Sequence, residues 1–127
     1  MLITALDHLV MTCSDVDRTI DWYTRVLELP VITYGPGRRA LLVGQQKINL
    51  RPAVGSDDWL TGATSTPGDQ DLCFLTDLSP QQVLERLAAL GVEVTNGPIT
   101  RDGARGTLRS VYCLDPDGSL VEISSYE

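Results

Sequence analysis

The chain has 127 residues, the length of one globular domain, and its 43% hydrophobic and 21% charged residues exclude wholesale disorder. Seventeen acidic against ten basic residues give a net charge of −7, which disfavours binding to nucleic acid or to an anionic membrane. No apolar run reaches the ~20 residues of a membrane span, and no basic region precedes the apolar N-terminus as in a signal peptide, so we expect a cytoplasmic protein.

The first half predicts a strand, a helix and three more strands. ALDHLVMT, residues 5–12, has the length and apolar content of a strand. Apolar residues recur at helical spacing between Val16 and Leu27, and Ser14 and Asp17 have the spacing of a capping box, so a helix is expected within residues 14–29. VITY, RALLVG and KINLRP then predict three short strands.

The second half repeats this order after a linker at residues 53–69. DLCFLTD predicts a strand, and a helix follows, with Ser79 at its N-cap, Pro80 in its first turn, Gln82 completing a capping box and Gly91 at its end. VEVTN, TLRSVYCLD and SLVEISS predict three strands, the last two joined by the turn DPDG. The fold class is therefore α+β, a single domain (1–127) of two βαβββ modules at about 1–52 and 70–127.

The first and last strands of both modules place one polar side chain opposite a pair of apolar ones. In the last strand, Val121 and Ile123 share one face and Glu122 points to the other, because successive strand residues alternate. If each helix covers the apolar pairs, the open faces carry four polar residues: His8, Asn49, Asp71 and Glu122. Either these residues face water, as in any half-exposed antiparallel sheet, or they converge on a site.

Basic residues gather in two stretches, Arg38 to Arg51 and Arg101 to Arg109. Because the arginine fork suits carboxylates and phosphates, Arg51 and Arg109 are candidates for holding an anionic substrate, with Tyr112 as a further candidate beside Arg109. Alternation leaves open whether Arg109 or Tyr112 faces the cleft. The arginines can equally pair with surface acids.

Two loop segments and the three cysteines are the remaining features of the sequence that bear on a site. TRDGARG, residues 100–106, is a Gly-rich loop that could serve as a lid, and Trp59 in the linker could cover the cleft or anchor the core. Cys13, Cys73 and Cys113 lie in apolar stretches, which predicts buried, reduced thiols.

Two segments carry a family resemblance. LDHLVMTCSDVDRTIDWYTRVLEL resembles the opening of vicinal oxygen chelate proteins, with a His in the first strand and a Tyr in the helix, and DPDGSLVEISSY resembles their closing segment. GRRALLVGQQKINL, TPGDQDLCF and GTLRSVYCLDPDG are similar to the glyoxalase-domain branch often labelled virulence protein, within the glyoxalase/bleomycin-resistance/dioxygenase superfamily. The resemblance implies two βαβββ modules forming a U-shaped mixed sheet around a cleft with a divalent metal, helices on the outer face, and usually a homodimer.

In that family the metal ligands come from the first and last strands of each module, which here are His8, Asn49, Asp71 and Glu122. The family commonly has Glu or His at position 49 and His at position 71, and its usual Gly after the first helix is here Glu28. A single His disfavours an extradiol dioxygenase, since non-haem iron needs two His and a carboxylate. Among Mn²⁺, Ni²⁺, Mg²⁺ and Zn²⁺, this oxygen-rich set suits Zn²⁺ least.

Two functions follow from the resemblance. The first is a metal-dependent glyoxalase-like enzyme with lyase, isomerase or transferase chemistry, in which Glu122 is a metal ligand or a general base. The alternative is a metal-free small-molecule binding protein of the bleomycin-resistance type, which Asn49 and Asp71 favour because they are weaker ligands than His.

Overall fold

The chain divides into two compact units, which a computed structural model describes over residues 1–127. The first unit is Met1–Gly68 and the second is Asp69–Glu127. Each unit contains one strand, one helix and three further strands in that order, so the predicted α+β class and the doubled βαβββ order are confirmed. Neither helix has the length and apolar character that crossing a membrane requires.

The first unit is a four-stranded sheet with one helix. Its elements are β1 (His8–Cys13), α1 (Val16–Leu27), β2 (Val31–Tyr34), β3 (Arg38–Val43) and β4 (Gln46–Pro52). The strand order is β1-β4-β3-β2, with β1 parallel to β4 and the other pairs antiparallel. Helix α1 packs against β4, and Tyr23, Leu41 and Leu50 are fully buried in the unit's core.

Helix α1 begins one residue later than its sequence suggested. The N-cap is Asp15, whose side chain accepts a hydrogen bond from the backbone N–H of Arg18 at 3.1 Å, so the predicted capping box between Ser14 and Asp17 is wrong. An Asp at this position satisfies an N–H that has no carbonyl partner within the helix. The helix ends at Glu28, which adopts a left-handed conformation with φ 58°.

The second unit repeats the arrangement. Its elements are β5 (Asp71–Leu75), α2 (Pro80–Ala89), β6 (Asn96–Asp102), β7 (Thr107–Leu114) and β8 (Leu120–Tyr126). The strand order is β5-β8-β7-β6, again with the first strand parallel to the last. Helix α2 packs against β7 and β8. The predicted capping box of Ser79 and Gln82 is confirmed.

The predicted strand VEVTN is wrong, because its first residues close helix α2. Gly91 has φ 71°, and the N–H of Val92 donates to the carbonyl of Leu87 at 2.9 Å, a pattern that ends helices. Strand β6 instead begins at Asn96 and takes in Thr100 to Asp102, which the sequence had suggested as part of a loop. Only residues 103–106 of that segment turn between strands.

The linker packs on the sheet of the first unit. Asp58 forms an ion pair with Arg38 at 3.2 Å, and the ring of Trp59 lies 3.9 Å from the same guanidinium. The hydroxyl of Ser65 is hydrogen-bonded to that of Thr12 on β1. Trp59 therefore stacks on an arginine of β3.

Candidate functional site

The polar side chains of the second unit share the sheet face opposite α2. The β-sheet register pairs Glu122 with Tyr112 on β7 and with Cys73 on β5, so these three side chains point to one face. Asp71 lies two residues before Cys73 on the same strand and points the same way. Glu122 thus shares the face opposite α2 with a second carboxylate, that of Asp71, whose partner in the register is Leu120.

A cavity of about 320 Å³ opens on this face, and we call it the Arg101 cavity. It is lined by Asp71, Asn96, Arg101, Tyr112, Leu120 and Glu122. The Nε of Arg101 donates a hydrogen bond to the Tyr112 hydroxyl at 2.9 Å, and this bond raises the pKa of the guanidinium. The cavity therefore presents two carboxylates and one oriented, permanently charged guanidinium.

A second cavity of about 330 Å³ adjoins Glu122 from the other side, and we call it the Tyr126 cavity. Its lining is more apolar and includes Leu75, Leu108 and Tyr126 together with Cys73 and the turn at residues 103–105. The guanidinium of Arg105 lies 4.8 Å from the centre of the Tyr126 ring, and the Arg105 backbone N–H donates to the Tyr126 hydroxyl at 3.2 Å. A ligand at Glu122 can therefore extend toward a polar or an apolar pocket.

A chain of hydrogen bonds holds one oxygen of Glu122. The Ser124 hydroxyl donates to Glu122 Oε2 at 3.3 Å, and Ser124 Oγ lies 2.7 Å from Ser110 Oγ. The thiol of Cys73 donates to Ser124 Oγ at 3.3 Å. These contacts fix the carboxylate on the sheet and leave its Oε1 available to a ligand.

Cys73 is exposed, which corrects the prediction of a buried thiol, whereas Cys13 and Cys113 are buried as predicted. Partial desolvation raises the pKa of Cys73, the hydrogen bond to Ser124 opposes this, and the nearby carboxylates of Glu122 and Asp71 raise it further. Burial raises the pKa of Cys113 to about 11. Both groups are thiols at neutral pH, the weakly nucleophilic form.

The donor set of the Arg101 cavity fits a hard cation. Mg²⁺ and related ions are commonly held by one or two carboxylates while keeping several waters, and Asp71 and Glu122 supply such a pair at one cavity. In neither unit are three His, Cys, Asp or Glu side chains placed so that together they could hold a metal ion. The pair therefore fits a hydrated Mg²⁺ or Mn²⁺ better than a closed zinc site.

Three other predicted site residues, His8, Asn49 and Arg51, lie in the first unit, on the face of β1 and β4 that α1 does not cover. His8 begins β1, has a side chain 44% exposed, and pairs with Asp7 at 2.7 Å. Asn49 is 7% exposed, and Arg51 contacts the Thr12 hydroxyl at 3.5 Å. Each unit thus holds two of the four predicted metal ligands on one sheet face.

Arg109 and Tyr112 lie on opposite faces of β7. Tyr112 lines the Arg101 cavity, whereas Arg109 points to the side of α2 and donates to Thr100 Oγ1 at 3.0 Å. Arg101 lines the cavity and Arg109 does not, which settles the face that alternation had left open for Arg109. The sequence analysis did not name Arg101, because it placed the strand before β7 too early and left Arg101 in a loop, where its alternation was hidden.

The sequence profile of the Glyoxalase/Bleomycin resistance protein/Dioxygenase superfamily matches residues 5–123. With the doubled βαβββ fold, this match shows that the chain belongs to that superfamily.

Individual relatives agree with this assignment. The chain is 45% identical over 125 residues to the glyoxalase domain-containing protein RDO1 of Mycosarcoma maydis, covering 98% of this chain and 70% of that protein. It is 40% identical over 126 residues to the virulence protein STM3117 of Salmonella typhimurium, covering 99% of this chain and 87% of that protein. The STM3117 crystal structure superposes with a TM-score of 0.94 at 40% identity, covering 100% of both chains.

Proposed function

We propose that this protein is a metal-dependent, glyoxalase-like enzyme that performs lyase, isomerase or transferase chemistry on a small oxygenated substrate. The observation that carries the proposal is the pair of carboxylates, Asp71 and Glu122, on adjacent parallel strands at one cavity of the uncovered sheet face. Membership of the superfamily supports it. His8 and Asn49 as further ligands, and the homodimer that the resemblance implies, remain predictions.

The residues around Glu122 would have different roles in the reaction. A divalent cation held by Asp71 and Glu122 would supply Lewis-acid polarisation of a substrate oxygen. Arg101, oriented by its hydrogen bond to Tyr112, binds an anionic oxygen of the substrate. Ser124 holds Oε2 of Glu122, so Oε1 is the atom that would bind the cation or, when the cation does not occupy it, accept a proton from the substrate.

The test is the metal content of tag-free protein, measured by plasma mass spectrometry after equilibration with Mn²⁺, Ni²⁺, Mg²⁺ or Zn²⁺. We expect equimolar Mn²⁺ or Mg²⁺ in the wild type and its loss in Glu122→Gln, which removes the charge and keeps the shape. Glu93→Gln, an exposed loop carboxylate of the same unit, is the matched control and should keep the metal. Full metal content in Glu122→Gln would overturn the proposal.

A metal-free binding protein is the second candidate, and the two arginine–tyrosine pairs favour it. Each cavity holds a guanidinium near a tyrosine ring, Arg101 with Tyr112 and Arg105 with Tyr126, a surface suited to a planar anion. Metal-stripped protein titrated calorimetrically with salicylate should then bind it, and Arg101→Met should weaken binding about tenfold. Absence of heat in the metal-stripped wild type would count against this candidate.

A further inference from the structure

Two arginines of the second unit border the cavities around Glu122 without an acidic partner. Arg101 lines the Arg101 cavity, and Arg105 lines the Tyr126 cavity. Neither arginine takes part in an ion pair of the chain. In a chain with seventeen acidic residues, two guanidinium groups left without a carboxylate beside one sheet face favour an external anion at each of them.

A tyrosine holds each of these guanidinium groups. The Nε of Arg101 donates to the Tyr112 hydroxyl at 2.9 Å, and the guanidinium of Arg105 lies 4.8 Å from the centre of the Tyr126 ring. Because both side chains are positioned before a ligand arrives, less side-chain entropy is lost when an anion binds. The two arginines are thus preorganised for binding.

The turn that carries Arg105 forms a fixed wall of the Tyr126 cavity. The N–H of Gly103 donates to the carbonyl of Gly106 at 2.7 Å, and the Arg105 N–H donates to the Tyr126 hydroxyl at 3.2 Å. Gly103 also lies directly against Leu108, since a Cβ atom at position 103 would lie 2.8 Å from Leu108 Cδ1. Backbone contacts therefore fix the place of Arg105 at the rim of the cavity.

Apolar side chains separate the two arginines. The register places Leu108 beside Tyr126, and both line the Tyr126 cavity together with Leu75. Tyr112, which holds Arg101, lies opposite Glu122, and Tyr126 lies four residues beyond Glu122 on β8, roughly 13 Å along the strand. A ligand that reaches both arginines therefore needs an extended apolar segment between two anionic ends.

We propose that the substrate is such a molecule, with one anionic end at Arg101, the other at Arg105, and an apolar segment in the Tyr126 cavity. Its reacting oxygens lie at the Arg101 cavity beside Glu122. For the chemistry at Glu122 this inference rests on the function proposed above, and it adds the class of substrate, an extended dianion of the α,ω-dicarboxylate kind.

The experiment compares ligands of equal length that differ by one negative charge. Adipate and suberate are each titrated calorimetrically against their monomethyl esters, at low ionic strength, into protein equilibrated with Mn²⁺ and into EDTA-treated protein. We expect each diacid to bind about threefold more tightly than its monoester in both preparations, the value of one exposed ion pair. Equal affinities of diacid and monoester at both lengths, or no binding of either diacid, would overturn the proposal.

Salt gives a second readout of the same contact. The advantage of the diacid should shrink as the ionic strength rises, because mobile ions screen an exposed ion pair. An advantage that stays constant from low salt to high salt would contradict an ion pair at Arg105.

Substitutions assign the two ends of the ligand. Arg105→Met removes the charge and keeps much of the side-chain length, so it should reduce the affinity of each diacid to that of its monoester. Arg101→Met should weaken the diacid and the monoester alike. Arg25→Met removes the same charge from an exposed position on α1 and is the control, which should bind as the wild type does. A diacid advantage that survives Arg105→Met would show that the second carboxylate binds elsewhere.

The ratio of the two affinities separates this inference from the metal-dependent function. Diacid and monoester present the same carboxylate to the Arg101 end, so the ratio cancels the contribution of that end, including any metal. Protein that holds no metal but keeps the ratio would contradict only the metal-dependent function. Protein that loses its metal in Glu122→Gln but shows no diacid advantage in the wild type would contradict only this class of substrate.

Discussion

Glu122 owes its position to three neighbours on three strands. The parallel strand brings Cys73 beside it, the antiparallel strand brings Tyr112, and its own strand supplies Ser124 two residues on. The same carboxylate borders both cavities of the second unit. A substitution at this position therefore changes the electrostatics of both pockets at once, and Cys73 reports that change.

The alkylation rate of Cys73 should depend on the neighbouring carboxylates. Their negative charge helps to raise the pKa of the thiol, so Glu122→Gln should lower that pKa and increase the reactive thiolate fraction. We expect iodoacetamide at pH 8 to modify Cys73 about two- to threefold faster in Glu122→Gln, because a lower pKa gives more of the reactive thiolate. Peptide mass spectrometry measures the rate.

Two references make this measurement specific. Cys113 is fully buried with a pKa of about 11 and should stay unmodified while the protein is folded. Glu93→Gln removes a carboxylate away from the thiol and should leave the Cys73 rate unchanged. In wild-type protein the rate should still be climbing at pH 9, because the raised pKa moves thiolate formation above the ordinary value of 9.0. A rate for Glu122→Gln equal to that of the wild type would contradict the electrostatic coupling.

At the scale of elements, the two helices end differently. Helix α2 reaches Gly91, a residue free to adopt the left-handed φ of 71°. Helix α1 places Glu28 in the corresponding conformation, with φ 58°, which is unfavourable for a residue with a Cβ atom. The backbone is thus strained at the end of α1, at the position where this family usually has Gly.

Glu28→Gly should therefore stabilise the protein. Relief of the left-handed conformation is worth about 1 kcal/mol, partly offset by the larger backbone entropy of glycine in the unfolded chain. Urea denaturation measures the free energy of unfolding. Glu28→Ala removes the same side-chain contacts but keeps a Cβ, so only Glu28→Gly should gain. A Gly variant no more stable than the Ala variant would show that the conformation costs nothing here.

At the scale of the whole molecule, the sequence predicts which face of a sheet a side chain occupies better than it predicts which residues that side chain contacts. Period-two alternation assigned His8, Asn49, Asp71 and Glu122 to the uncovered faces, because apolar neighbours fixed the opposite side. The same alternation could not reveal Arg101, because the start of β6 depends on Val92 closing helix α2 and on a register shift between Asn96 and Ile99. The start and the register of β6 depend on tertiary contacts, and these leave no pattern in the local sequence.

Because the chain forms two units, the structure gives the geometry of the predicted site residues separately within each unit. Asp71 and Glu122 are brought to one cavity by pairing within the second unit. His8 and Asn49, on β1 and β4, lie within the first. Each set can be altered by substitutions within its own unit.

The parallel pairing of first and last strands affects the order in which this protein can mature. In each unit the first strand can pair only once the last strand is present, because Leu9 pairs with Ile48 and Leu72 pairs with Val121. Local helices and hairpins form early, while such distant pairings follow later because the loop between them must close first. During synthesis the carboxylate pair of the second unit can assemble only after Leu120–Tyr126 has left the ribosome. A nascent chain therefore gains this cavity last, and a chain terminated before Glu122 never has it.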